Sequence, residues 1–152
     1  MIKDFYLIVH NVRSLYNVGT MFRTADGLGI DKIYLTGYTG IPPRSEISKV
    51  ALGADELIPW EQYKNISVLL KKLRREKIKI IVLEKTKTAI HYLQFKPKFP
   101  LALVVGNEVR GVSSSLLKQA DQVIYLPMAG KKESLNVGVA MGAVGYYINQ
   151  FR

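Results

Sequence analysis

A chain of 152 residues with 48% hydrophobic content is long enough for one domain with a full core and too short for two ordinary ones. No apolar run approaches a membrane-spanning length, and the lack of cysteine excludes disulfides and thiolate metal sites; with only His10 and His91 as imidazole ligands, no metal is expected. Twenty-two Lys and Arg against twelve Asp and Glu give a formal charge of +10, which points to a polyanionic partner. The first residues, Met1-Ile2-Lys3-Asp4, lack the apolar stretch and cleavage site of a secretory signal, so a cytoplasmic location is expected.

Phe5 to Val9 is a short β-branched and aromatic run, read as the first strand. Asn17 to Leu28 then places Val18, Met21, Phe22, Ala25 and Leu28 at helical spacing, and Gly29 closes that helix. Lys32 to Leu35 is the next strand, followed by a turn-rich stretch with Gly37, Gly40, Pro42 and Pro43. Ile66 to Lys77 reads as a basic amphipathic helix with Val68, Leu69, Leu70 and Leu73 on its apolar side, and Ile78 to Leu83 as the strand after it. A loop with Pro97 and Pro100 leads to Leu101 to Val105, a continuous apolar run of the kind found where both faces of a parallel sheet are covered. Ser113 to Gln119 is a short helix, Gln122 to Leu126 a strand, and Ser134 to Asn149 the closing helix. The alternation gives a single α/β domain with a mostly parallel sheet and helices on both faces.

Each small basic group, such as Lys71-Lys72 with Arg75 or Lys131-Lys132, reads alone as a solvated face; it is their combined excess that calls for a partner. The closing helix carries Val137, Val139, Ala140, Met141, Ala143, Val144, Tyr146 and Tyr147 around its circumference, with Gly138, Gly142 and Gly145 along one side at a spacing that permits close backbone approach. A helix apolar all round must be covered all round. A second subunit and a central position in a monomer both satisfy that requirement.

Three segments carry chemistry. In Asn17-Val18-Gly19-Thr20-Met21-Phe22-Arg23-Thr24-Ala25-Asp26, Asn17 is expected in the strand-to-helix loop and Arg23 in the second turn of the helix. Val105-Gly106-Asn107-Glu108-Val109-Arg110-Gly111-Val112-Ser113 follows the most apolar strand, so Gly106, Asn107 and Glu108 fall beyond a strand's carboxyl end, where open α/β sheets bind ligands. Glu108 could equally balance Arg110. In the third segment, Leu126 to Val137, a Pro- and Gly-containing turn leads to Ser134 or Asn136 at the entry of the last helix, Ser134 being a good N-cap candidate on intrinsic grounds, with Leu126, Met128 and Leu135 as apolar walls.

Together NVGTMFRTAD, VVGNEVRGVS and LPMAGKKESLNVGVA resemble the three motifs of the SpoU, or TrmH-like, RNA methyltransferases of the SPOUT superfamily, in order and at comparable intervals. Ile47 to Ala54 is also similar to the family's intervening segment. The resemblance implies a C-terminal trefoil knot, S-adenosyl-L-methionine as cofactor, a homodimer, and methylation of a ribose 2′-hydroxyl in RNA, with tRNA, its wobble position a candidate target, favoured over rRNA. It assigns catalysis to Arg23, Asn17, Glu108, Ser134 and Asn136. Cofactor binding falls to Val105, Gly106, Asn107, Leu126, Met128, Gly130, Ser134, Leu135 and Asn136. Arg44, Lys49, Lys71, Lys72, Arg75, Lys131 and Lys132 are the candidate RNA contacts. Gly138 departs from the family, which often has serine there. A non-catalytic RNA-binding protein on the same fold and a base-modifying relative remain the alternatives; no Gly-x-Gly-x-x-Gly or Gly-Lys-Ser/Thr loop supports a nucleotide-dependent oxidoreductase or NTPase.

Overall fold

The computed structural model describes residues 1–152. Seven strands run in chain order as β1 (Phe5–His10), β2 (Lys32–Thr36), β3 (Trp60–Tyr63), β4 (Lys79–Leu83), β5 (Ile90–His91), β6 (Leu101–Val105) and β7 (Gln122–Tyr125). They form one sheet of order β3-β2-β1-β6-β4-β7-β5, every neighbouring pair parallel. The late strands insert between earlier ones: β6 lies between β1 and β4, and β7 between β4 and β5. All strands therefore present their carboxyl ends, and the loops that follow them, on one side of the molecule.

Six helices cover the sheet: α1 (Leu15–Leu28), α2 (Ser45–Ala51), α3 (Ala54–Leu57), α4 (Ile66–Arg75), α5 (Ser114–Leu117) and α6 (Val137–Asn149). Side chains alternate across each strand. Phe5, Leu7 and Val9 of β1 consequently pack with Val18, Met21 and Phe22 of α1 and Met141, Val144 and Ile148 of α6, while Ile8 packs on the opposite face with Leu69, Leu70 and Leu73 of α4 and Leu116 of α5. β6, covered on both sides, is buried at all five positions, as its unbroken apolar run requires.

The first helix starts earlier than its apolar spacing indicates. Ser14 caps it by accepting from Asn17 N–H, which places Asn17 inside the first turn rather than in the preceding loop, and Arg23 correspondingly deeper in the helix. The last helix starts later: Asn136, not Ser134, is its N-cap, with Oδ1 accepting from the N–H groups of Gly138 and Val139 at 2.9 and 3.2 Å. Ser134 stays in the loop because Asn136 can reach two orphan donors of the first turn at once. The elements α2, α3, β3 and β5 are two to seven residues long, too short for a hydrophobic period to declare itself.

The glycines of α6 do serve close approach, but to α1 of the same chain. A methyl on Gly138 would meet Thr20 Cγ2 at 2.9 Å, and one on Gly145 would meet Leu28 Cδ1 at 2.6 Å. Gly19 plays the same part between α1 and α2, where a Cβ would lie 2.5 Å from the Ile47 carbonyl oxygen. The far side of α6 is left open within one chain: Val139 and Tyr146 are 57% and 54% exposed. No helix is long and apolar enough to cross a membrane.

Candidate functional site

The three motif segments meet at the carboxyl ends of β1, β4, β6 and β7. Between the loops after β4, β6 and β7 lies a cavity of about 520 Å³, within the range of small-molecule sites. Its apolar walls are Leu83, Leu126, Met128, Leu135 and Val137, and Gly106 and Asn107 border it at the end of β6. A Cβ on Gly106 would meet Val112 Cγ2 at 2.6 Å and the Gly111 carbonyl oxygen at 3.0 Å, so only glycine lets β6 run flush against the returning 111–112 segment. Three carboxylates, Glu84, Glu108 and Glu133, outnumber the two cations Lys85 and Arg110 in the lining. This is a setting that favours a ligand with cationic character.

Glu108 organises the junction with the first motif. Its two oxygens accept from Arg13 N–H (3.1 Å), Ser14 N–H (3.0 Å) and Asn17 Nδ2 (3.1 Å), so it is bonded to the start of α1 and not to Arg110. Partial burial pushes its carboxyl up, but the backbone donors of Ser14 and Arg13, its own backbone and the Asn17 amide outweigh this and hold it below the usual carboxylate range. Asn17 passes the connection on, its Oδ1 accepting from Asn136 Nδ2 at 3.0 Å. One chain of hydrogen bonds, Glu108 to Asn17 to Asn136 to the first turn of α6, thus joins all three motifs. Asn17 is nearly buried, at 5% exposure, and an asparagine held on both sides of its amide has a fixed orientation.

Of the residues assigned to the cofactor from the sequence, Val105, Gly106, Asn107, Leu126, Met128, Ser134 and Leu135 line the cavity; Gly130 and Asn136 do not. Among those assigned to catalysis, Glu108 and Ser134 line it, and Asn17 and Asn136 are tied to its rim through the hydrogen-bond chain. Arg23 stands apart, exposed on α1 and outside the cavity of its own chain. The basic residues divide similarly. Lys49, Lys71, Arg75, Lys131 and Lys132 are exposed, and Arg44 is exposed beside Glu46 at 3.4 Å. Lys72 instead lies half-buried, 4.0 Å from Glu61 and over the Tyr34 ring, so the outer face of α4 is carried by Lys71, Arg74 and Arg75 beside Val68.

Glu84 was not singled out from the sequence. It lines the cavity and fastens the 107–112 loop, one oxygen accepting from Val112 N–H at 2.8 Å and the other from Lys85 N–H at 3.1 Å. An acid directly beyond the carboxyl end of the apolar β4 was the available signal.

The sequence profile of the SpoU rRNA Methylase family matches residues 4–146, nearly the whole chain. The protein belongs to that family. Its relatives include the tRNA (guanosine(18)-2′-O)-methyltransferase of Aquifex aeolicus, 30% identical over 145 residues that make up 95% of this chain and 68% of that enzyme. A 23S rRNA (guanosine-2′-O-)-methyltransferase RlmB from Pectobacterium atrosepticum is 35% identical over 139 residues, 91% of this chain and 56% of the relative. Among solved structures, an AdoMet-bound rRNA methyltransferase from Sinorhizobium meliloti superposes with a TM-score of 0.90 at 25% identity, covering 99% of this chain and 57% of that one. The chain spans about three fifths of the length of the curated relatives it matches.

Proposed function

We propose that this SpoU-family chain transfers a methyl group from S-adenosyl-L-methionine to a ribose 2′-hydroxyl in RNA, with tRNA the leading substrate, its wobble position a candidate target, and rRNA the second. The observation that carries this reading is the hydrogen-bond chain from Glu108 through Asn17 to Asn136 at the rim of a cavity built by the second and third motifs. The cavity fits the cofactor on its own terms. Leu126, Met128 and Leu135 offer apolar walls for an adenine ring, Gly106 lets the 111–112 segment close against the end of β6 at the cavity's edge, and the excess of carboxylates balances a sulfonium charge. A bound S-adenosylmethionine supplies an already activated methyl group, so the chain's task is alignment and removal of the hydroxyl proton.

In this reading Asn17, fixed by Glu108 and Asn136, orients the acceptor ribose, and Arg23 acts on the 2′-oxygen. A guanidinium with a pKa of about 12 or more stabilises a developing negative oxygen in its ordinary charged form and serves as base only if it first loses a proton. Arg23 is exposed and does not line the cavity of its own chain, and Val139 and Tyr146 of the adjacent α6 are exposed. A homodimer that covers this face and brings Arg23 of one copy to the cavity of the other completes the site. The same reading includes a trefoil knot, supported by the late insertion of β6 and β7 between earlier strands. Arg44, Lys49, Lys131, Lys132, Lys71 and Arg75 serve as phosphate contacts, and a cytoplasmic location is part of the same proposal.

The test is transfer of labelled methyl from S-adenosylmethionine to unmodified tRNA and rRNA pools, with Arg23→Ala in parallel. Label in one pool and none with the variant is expected. No transfer to either pool by a protein that binds S-adenosylhomocysteine would contradict the assigned acceptor, and wild-type turnover by Arg23→Ala would remove Arg23 from the chemical step.

A further inference from the structure

Beside the cavity, on the side of β1 and β2, stands an aromatic ring that the hydrogen-bond chain above does not use. Tyr38 follows β2 and is 60% exposed, yet it is not a loose surface side chain. Its hydroxyl accepts from Asn107 Nδ2 at 2.8 Å, and its backbone N–H donates to Asn11 Oδ1 at 3.1 Å. Both holders are themselves fixed. Asn107, a cavity-lining residue, gives its other donor to the Asn11 carbonyl at 3.0 Å, while its Oδ1 accepts from Val109 and Arg110 N–H at 2.9 and 2.8 Å. Asn11 sits in the left-handed region at φ 53°, its side chain against Gly37, where a Cβ would collide with its Oδ1. The turn is closed by Thr39, whose single hydroxyl hydrogen has the Val9 and Thr36 carbonyls within reach and whose oxygen accepts from Val12 N–H.

A tyrosine held at its backbone and at its hydroxyl has less rotamer freedom to lose on binding than an untethered surface side chain. Most of its surface is exposed, and Tyr38 forms no pair with another aromatic ring of the chain. Rigid, exposed aromatic surface is what an unpaired nucleobase stacks on, because every base has a π-face and little entropy is left to lose. The hydroxyl lies in hydrogen-bond contact with a residue of the cavity wall, so a base on this ring would sit at the mouth of the cavity. We propose that Tyr38 is a stacking platform for an unpaired base of the RNA strand at the mouth of the cavity. This rests on the reading of the chain as an RNA methyltransferase and adds a base-recognition subsite to it.

The competing role is a mere fastener for Asn107, and the two separate by substitution. Tyr38→Phe keeps the ring and loses the hydroxyl bond; Tyr38→Ala and Tyr38→Leu lose both. Affinity is measured by fluorescence anisotropy for a labelled single-stranded RNA of about 12 nucleotides, and by calorimetry for S-adenosylhomocysteine. A platform predicts that Tyr38→Ala and Tyr38→Leu weaken RNA binding by roughly 5- to 150-fold, that Tyr38→Phe stays within about threefold of wild type, and that cofactor-product affinity is unmoved in all three. The proposal is overturned if Tyr38→Ala binds RNA as wild type does, or if Tyr38→Phe loses as much as Tyr38→Ala. Wild-type protein that binds S-adenosylhomocysteine but no RNA also overturns it while sparing the cofactor site; failure to bind either takes down the enzymatic reading as well.

Discussion

Replacing Glu108 by glutamine isolates the charge at the centre of the site with almost no change of shape. The carboxylate accepts three hydrogen bonds, two from backbone N–H groups at the start of α1 and one from Asn17 Nδ2. Glutamine has one acceptor oxygen, so its amide nitrogen must face at least one of those donors and that bond is lost. For a half-exposed group, one charge-assisted hydrogen bond is worth about 1–2 kcal/mol, which in a domain of this size lowers Tm by roughly 2–8 °C. The pH dependence has a definite sign. The folded-state carboxyl lies below its ordinary value of 4.5, so its stabilisation is fully present above pH 4.5 and disappears as pH falls through the folded value. Thermal unfolding of wild type and Glu108→Gln at neutral pH and in steps down into the acid range should therefore show a gap that narrows below pH 4.5. A gap independent of pH, or none at neutral pH, would refute the view that the ionised carboxylate anchors α1.

Gly19→Ala should destabilise the fold by about 1–3 kcal/mol in denaturant titrations, because its Cβ meets the Ile47 carbonyl oxygen at 2.5 Å and backbone must move. If the site is completed across a homodimer, mixing inactive Arg23→Ala with inactive Gly106→Val should restore roughly a quarter of wild-type sites, since half the dimers formed at random then carry one complete site; no recovery after verified subunit exchange would place Arg23 in its own subunit's chemistry. RNA affinity should fall with salt, and Lys71→Ala with Arg75→Ala should reduce the log-log slope by about 0.7 for each phosphate contact removed, as read from binding isotherms over a salt series. An unchanged slope would assign the outer face of α4 to ordinary solvation.

The architecture was legible where the chain has long, one-signed patterns. β6 is apolar throughout and α1 has a clean helical period, and both appear nearly where the sequence placed them. The motifs also named most of the cavity lining, since Gly106, Leu126, Met128 and Leu135 fall just beyond strand ends. Long-range pairing was not legible. Nothing local to Glu108 announces that it will bond Ser14 N–H, 94 positions away, or that Asn136 will reach Asn17, 119 positions away. The two helix starts were misplaced for the same physical reason: each cap was settled by competition among nearby polar residues, Ser14 against Asn17 and Asn136 against Ser134. The glycines of α6 were read correctly as a device for close approach, but their partner, α1 of the same chain, follows from tertiary packing that spacing does not encode. Tyr38 has no motif of its own, and Glu84 has only its place beyond the end of β4; the donors that face them, Asn107 Nδ2 and Val112 N–H, come from distant parts of the chain.

Methyl transfer to a ribose leaves the methyl group on the sugar of the product, and that position can be read from the modified RNA itself. RNA labelled by the purified chain with S-adenosylmethionine would be digested to nucleosides and resolved by mass spectrometry. A nucleoside whose methyl group stays with the sugar when the base is released is the predicted result. A methylated free base from the same digest would contradict it and assign the cavity to a base-modifying enzyme.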